Sequence, residues 1–140
     1  MAELLELHDR NRFEVVGYSY GPDDGSEMRR RIVRACDQFV DITSTSFADA
    51  ARRIYEDRID ILVDLTGYTK AARTPIAALR PAPIQVNYLG YPGTMGADCI
   101  DYIVTDRFIT PLDQEPYFSE KFVYLPDCYQ VNDRKREIAQ

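Results

Sequence analysis

Apolar residues follow two spacings along most of this chain, one typical of strands and the other typical of helices. Six short runs rich in β-branched and aromatic residues are typical of strands; they cover residues 13–20, 39–42, 59–65, 84–88, 99–105 and 121–125. The run at 59–65 is almost continuously apolar, which indicates a strand covered on both faces. A long, proline-containing connection, residues 106–120, separates the last two runs.

Helical spacing replaces strand spacing between several of these runs. A helix is predicted from Ser26, a good N-cap residue, to about residue 38, and a second over 47–57 behind a capping box that starts at Ser46. A short helix is predicted at 75–79, because Pro75 suits the first helical turn. Strands that alternate with helices predict an α/β fold with a parallel sheet and helices on both of its faces.

The length of the chain, 140 residues, suits a single domain over residues 1–140. The first seven residues have helical character, whereas the tail at about 133–140 is charged and carries no stop signal. We expect this tail to be disordered or to start a helix that is cut short. Both ends suggest a segment of a longer protein.

Candidate chemistry lies in three loops that follow predicted strands, at residues 21–25, 66–70 and 89–94. The third loop is the most distinctive, because Gly-Tyr-Pro-Gly-Thr can neither continue a strand nor turn at once into a helix. Its glycines allow backbone conformations that a Cβ forbids, and its proline fixes φ. Loops at the carboxyl ends of parallel strands share one edge of the sheet, where ligands bind in such folds. The backbone N–H groups, hydroxyls and charges of these loops suit a phosphate- or sugar-bearing ligand.

Each loop also has a simpler interpretation. Gly-Pro-Asp-Asp-Gly at 21–25 can be only a turn. Lys70 and Arg73 can be ordinary surface residues. Asp64, at the end of a buried strand, needs a partner and can be a site carboxylate or the cap of a neighbouring loop.

Charge and composition exclude several classes of protein. The net charge of −6 argues against a nucleic-acid partner, which would require a basic patch. The one arginine cluster lies on the helix predicted after Ser26, as a solvated face or, alternatively, an interaction site; it comprises Arg29, Arg30, Arg31 and Arg34. No apolar run approaches the roughly 20 residues that span a bilayer, so no membrane association is expected.

The three cysteines, Cys36, Cys99 and Cys128, are too widely spaced for a metal knuckle. Their odd number favours free thiols in a reducing cytoplasm, with Cys36 in the core. The single histidine, His8, disfavours Ser-His-Asp and Cys-His catalysis and is expected to be exposed. Dinucleotide-binding, P-loop and nucleophile-elbow motifs are absent from the sequence.

Several segments together carry a family resemblance. The run at 78–85, the loop at 89–94 and residues 96–97 and 101–103 closely resemble the catalytic region of O-linked N-acetylglucosamine transferases. So do residues 13–15, 22–25, 61–70 and 117–121. The resemblance covers nearly the whole chain.

This resemblance implies a Rossmann-like parallel sheet with flanking helices, forming the amino-terminal half of a two-domain GT-B glycosyltransferase. Tetratricopeptide repeats would precede it and a second Rossmann half would follow it in the parent chain. The family transfers N-acetylglucosamine from UDP-N-acetylglucosamine (UDP-GlcNAc) to Ser or Thr hydroxyls of proteins, with inversion and without a metal. The similar SPINDLY branch transfers fucose instead.

The resemblance also implies roles for individual residues. Leu89, Gly90 and Pro92 would line the donor-sugar pocket, Thr94 would brace the loop, and Lys70 would lie on the acceptor side. The family's catalytic His-Pro segment, its diphosphate-facing lysine and its uridine-binding residues would lie outside residues 1–140. No catalytic residue or metal ligand is therefore expected here, and the isolated chain is expected to be inactive. A SPINDLY-like fucosyltransferase and a non-catalytic interaction domain of the same fold are the alternatives.

Overall fold

The computed structural model describes residues 1–136. It contains two compact units, one formed by Met1–Thr45 with the segment that starts at Val131, the other by Ser46–Gln130. The single domain predicted over 1–140 stays a prediction. The end of the predicted disordered tail, residues 137–140, lies outside the described residues.

The first unit is built around two parallel strands joined by a helix. Its elements are α1 (Ala2–Glu6), β1 (Val16–Ser19), α2 (Glu27–Arg34) and β2 (Gln38–Asp41). Val16 pairs with Gln38 and Ser19 with Asp41. The Ser26 side chain accepts a hydrogen bond of 3.1 Å from the Arg29 N–H, which confirms the predicted N-cap. Cys36 follows this helix and is half-buried rather than a core residue; burial raises the pKa of its thiol.

The arginines of α2 do not form one solvated face. Arg30 and Arg34 are exposed and pair with Glu27, but the Arg31 side chain is only 16% exposed. Its guanidinium binds Glu6 at 2.6 Å and Asp133 at 2.5 Å. The solvated-face interpretation is therefore wrong for Arg31, because helical rotation turns this position towards α1 and the segment from Val131.

Acid should weaken the ion pairs of Arg31. Hydrogen bonds from Arg31 and then Lys135 lower the pKa of Glu6 from 4.5 to about 2, and Arg31 also lowers the pKa of Asp133. Because these carboxyls have lower pKa values when folded, their stabilisation is present above pH 4.5 and is lost as the pH falls towards 2. We expect the midpoint of urea unfolding to fall across this window. Glu6→Gln should flatten that dependence, and an unchanged slope would contradict the assignment.

The second unit contains a four-stranded parallel sheet. Its elements are α3 (Phe47–Glu56), β3 (Ile61–Asp64), α4 (Pro75–Ala78), β4 (Ile84–Tyr88), β5 (Tyr102–Thr105), a 3-10 helix (Leu112–Tyr117) and β6 (Lys121–Tyr124). The strand order is β3-β4-β5-β6, with every neighbouring pair parallel. The Ser46 side chain caps α3 through the Asp49 N–H, and Pro75 opens α4, as predicted. The carboxyl ends of the four strands consequently lie at one edge.

The strand covered on both faces is β4, and not β3 as the sequence predicted. Ile61 and Val63 of β3 are 52% and 43% exposed. In β4 the last four residues are buried, including both polar residues, Gln85 and Asn87. The prediction failed because it depended only on the apolar residues of 59–65, whereas β3 is an edge strand of this sheet.

The helix predicted from Ser26 to about residue 38 ends at Arg34, since Gln38 already begins β2. Two segments of the second unit also depart from the predicted elements. The strand predicted at 99–105 begins only at Tyr102, because residues before it form a turn closed by the Ile100 N–H and the Ala97 carbonyl. Ile100 packs instead with Ala77 and Met95. The 106–120 connection contains the 3-10 helix, which the sequence did not predict. Among the helices of residues 1–136, none is both long and apolar enough to cross a bilayer.

Candidate functional site

The loop after β4, residues 89–94, is fixed by a close approach of backbones. A Cβ on Gly90 would lie 2.2 Å from the carbonyl oxygen of Leu65, the residue directly after β3. In this loop the positive φ, 72°, belongs to Leu89. Neither Gly90 nor Gly93 has one. The predicted reason for glycine was therefore wrong at Gly90: the residue is needed for space beside Leu65, not for a left-handed backbone.

The loops after β3 and β4 pack against each other. Gly67 has φ of 56°, and a Cβ there would lie 2.5 Å from the Cβ of Tyr91. The Tyr68 hydroxyl donates to the Met95 carbonyl at 2.7 Å, and the Tyr68 and Tyr91 rings meet edge-to-face with centroids 5.7 Å apart. The predicted meeting of loops 66–70 and 89–94 at one edge is confirmed.

Asp64 caps the loop that follows it. Its Oδ1 accepts hydrogen bonds from the N–H groups of Thr66 at 2.8 Å and Gly67 at 3.2 Å. Of the two open interpretations, the structural cap is therefore the one observed. The carboxylate fixes the start of loop 66–70 and satisfies two backbone donors.

Asn87 holds the middle of loop 89–94 from behind. Its side chain is fully buried, and its Nδ2 donates to the carbonyls of Tyr91 at 2.9 Å and Gly93 at 3.2 Å. A backbone that turns without regular pairing needs such donors when it lies against the core. Sequence analysis missed this residue, although a polar residue inside a strand next to the loop was a usable signal.

Thr94 forms hydrogen bonds at the end of the loop, and its predicted contribution to the donor site stays a prediction. Its hydroxyl donates to Glu120 Oε2 at 2.7 Å and accepts from the Gly96 N–H at 3.0 Å. Glu120, from the connection before β6, also accepts from the Met95 N–H at 2.5 Å. Sequence analysis noted Glu120 only within the resembling segment 117–121, so its contact with the loop was missed.

The remaining predicted site residues lie on the surface of these loops. Gly90, Pro92 and Lys70 are exposed, and Leu89 is half-buried. Exposed backbone groups, a lysine ammonium and nearby hydroxyls can bind a polar ligand. Their assignment to a donor sugar or an acceptor stays a prediction.

The first strand-end loop, residues 21–25, is a self-contained turn. The side chain of Asp23 accepts from the Gly25 N–H, and that of Asp24 from the Ser26 N–H, both at 2.9 Å. Asp23 also pairs with Arg29 at 3.0 Å. This loop belongs to the first unit, and its carboxylates are occupied by local contacts.

The structure offers no metal site in its described part, since the His, Cys, Asp and Glu side chains of residues 1–136 form no group of three that could hold an ion. His8 is half-buried, and its Nδ1 lies 2.8 Å from the Leu4 carbonyl oxygen. The exposure predicted for this ring is therefore only partial. Metal-independent chemistry itself stays a prediction.

Known proteins resemble this chain over nearly all of its length. The sequence profile described as glycosyl transferase family 41 matches residues 1–140. The probable UDP-N-acetylglucosamine–peptide N-acetylglucosaminyltransferase SEC of Arabidopsis thaliana is 46% identical over 137 residues, which is 98% of this chain and 14% of that protein. The probable enzyme of the same description named SPINDLY, from Eustoma exaltatum, is 38% identical over 128 residues, or 89% of this chain and 14% of that protein.

A solved structure supports the same grouping. A mutant of the O-GlcNAc transferase of Thermobaculum terrenum superposes with a TM-score of 0.87 and 32% identity, over 91% of this chain and 24% of that chain. The fold predicted from the sequence, part of a GT-B glycosyltransferase, is confirmed by this match. The chain spans about one seventh of the curated relatives it matches. The parallel sheets, the strand-end loops and the agreement along the whole chain lead to one grouping: the chain belongs to glycosyl transferase family 41.

Proposed function

We propose that this chain is part of the catalytic region of a protein O-glycosyltransferase. The parent protein transfers N-acetylglucosamine from UDP-GlcNAc to Ser or Thr hydroxyls, with inversion and without a metal. The observation that carries this proposal is loop 89–94, a strand-end loop held by the side chains of Asn87 and Glu120 and exposed at Gly90, in a chain 46% identical to SEC. Leu89 supports it too, because strained backbone conformations of bulky residues cluster at functional sites.

In this proposal the chain positions sugars and leaves charge stabilisation to other parts of the parent protein. Leu89, Gly90 and Pro92 contact the donor sugar, Thr94 fixes their loop, and Lys70 lies on the acceptor side. Inverting transfer requires the acceptor hydroxyl in line with the anomeric carbon and a stabilised diphosphate leaving group. A carboxyl-terminal Rossmann half supplies the latter, and tetratricopeptide repeats present protein acceptors. The proposed location is the cytoplasm.

Activity should depend on chain beyond these 140 residues. We expect the full-length parent protein to glycosylate a Ser/Thr peptide with UDP-GlcNAc, and the isolated 140-residue chain to give no turnover. Product mass and radiolabelled sugar incorporation measure both. Turnover by the isolated chain would contradict the division of roles, and an inactive parent protein would favour the non-catalytic interaction domain.

The alternative donor is GDP-fucose, as in the SPINDLY branch. The fucose donor is what the resemblance to the SPINDLY branch implies, and it is the second candidate because the identity to a SPINDLY protein is 38%, against 46% to SEC. Competition between UDP-GlcNAc and GDP-fucose in the same peptide assay separates the two. Preferential fucose transfer would replace the proposed donor without changing the reaction class.

A further inference from the structure

A buried carboxylate lies behind the end of the proposed donor loop. Glu120 is 2% exposed and stands directly before β6. Its Oε1 accepts from the Met95 N–H at 2.5 Å, and its Oε2 accepts from the Thr94 hydroxyl at 2.7 Å. Hydrogen bonds to a charged group are stronger than neutral ones, and a buried carboxylate needs such partners.

The surrounding contacts direct the Thr94 hydroxyl towards Glu120. The Thr94 oxygen accepts from the N–H groups of Gly96 at 3.0 Å and Ser119 at 3.3 Å. A hydroxyl has one proton, so with its acceptor positions used by backbone donors it gives that proton to Glu120. The contact therefore requires an acceptor at position 120.

This cluster joins two segments that are distant in sequence. Glu120 is held at the start of β6, which pairs along its length with β5. Thr94 and Met95 end the loop that begins at Leu89, and Met95 is 4% exposed within a small apolar cluster. Movement of the loop end would break the two hydrogen bonds to Glu120 and would remove Met95 from its apolar cluster.

We propose that Glu120 is a positioning residue for donor binding, which holds Thr94 and Met95 and thereby sets the position of Leu89, Gly90 and Pro92 at the sugar. The inference rests on the proposed function and extends it to a residue that does not itself reach the surface. Glu120 touches no reacting atom in this proposal. Its effect is on affinity for the donor.

The test compares three variants in the full-length parent protein. Glu120→Ala should raise the Kd and KM for UDP-GlcNAc at least about tenfold, because donor binding must then order a loop end that the two lost hydrogen bonds no longer hold. The peptide KM should stay within about twofold of the wild-type value. Glu120→Gln retains an acceptor for Met95 but presents an NH2 donor to the Thr94 hydroxyl, so it should recover only part of the donor affinity. Glu115→Ala, which removes an exposed carboxylate from the same connection, is the matched control and should behave as wild type.

The outcomes separate a positioning role from a merely structural one. A lower melting temperature with unchanged donor Kd in the folded protein would overturn the inference. If Glu120→Ala does not fold, Thr94→Val gives the same test, because it removes the hydroxyl and keeps the side-chain shape; unchanged donor affinity there would equally overturn it. A wild-type parent protein that neither binds nor uses UDP-GlcNAc would instead overturn the proposed function, and with it the donor role of Glu120.

Discussion

We expect Gly90→Ala to be the most damaging single-methyl substitution in this loop. The new Cβ would lie 2.2 Å from the Leu65 carbonyl oxygen and 3.0 Å from both the Leu65 carbonyl carbon and the Thr66 Cα. All three are backbone atoms of the segment that follows β3, so no rotamer change can relieve the overlap. The two strand-end loops must therefore move apart.

The expected cost is a loss of about 3 kcal/mol in the free energy of unfolding, at the upper end of ordinary overpacking. In the parent protein the same substitution should sharply reduce donor binding, because it displaces Leu89 and Pro92. Urea unfolding of the chain measures the first effect, and the UDP-GlcNAc KM of the parent protein measures the second.

Alanine substitutions at two other glycines provide comparisons for this prediction. Among the described residues, a Cβ on Gly21 would meet nothing within 4 Å, so Gly21→Ala is the matched control with little expected effect. A Cβ on Gly93 would lie 3.2 Å from the Tyr91 ring, a side chain that can shift, so Gly93→Ala should be intermediate. Equal stability of the Gly90 and Gly21 variants would show that the close approach to Leu65 does not exist in solution.

Asn87→Asp should also be strongly destabilising, although the two side chains have almost the same size and shape. Asn87 is fully buried and gives both N–H bonds of its amide to loop carbonyls, those of Tyr91 and Gly93. A carboxylate cannot donate, and it would place a buried negative charge against two carbonyl oxygens. We expect a loss of at least about 3 kcal/mol at pH 7, comparable to leaving a buried charge unpaired.

The pH dependence of this variant distinguishes lost donation from lost packing. Burial beside two acceptors raises the pKa of a carboxyl, and the protonated acid can again donate one hydrogen bond. The destabilisation should therefore shrink as the pH falls from 7 to 5, measured by urea unfolding against wild type. Asn132→Asp makes the same chemical change at an exposed position and should show little effect. A pH-independent loss at position 87 would show that donation to the loop is not its role.

Local signals predicted the framework of the second unit well. The strand over 84–88, the N-cap at Ser46 and the first-turn Pro75 all agree with the structure. Each depends on neighbours within about four residues: apolar runs, a serine before a helix, and a proline whose missing N–H is not needed at N1. Alternation of these elements was sufficient to predict parallel pairing, but it predicted one sheet, whereas the structure has a two-stranded and a four-stranded sheet.

The role of Gln85 in β4 was not predictable in the same way. The pattern Ile-Gln-Val-Asn-Tyr in β4 alternates apolar and polar residues, which is typical of a strand with one face in water. In the structure Gln85 and Asn87 are buried, and Gln85 Nε2 binds the carbonyls of Ala77 and Cys99 at 2.8 and 2.6 Å. These partners lie 8 and 14 residues away along the chain, so a local pattern cannot identify them.

The sequence by itself determined the family, through segments spread along nearly the whole chain, and it determined the location of loop 89–94 at a strand end, through residues close together in the chain. Tertiary structure decided why that loop has its shape. Gly90 is required by Leu65, 25 residues earlier, and Thr94 is held by Glu120, 26 residues later. Close approach and burial are properties of pairs of segments that meet only when the sheet forms, because parallel strands bring distant loops to one edge.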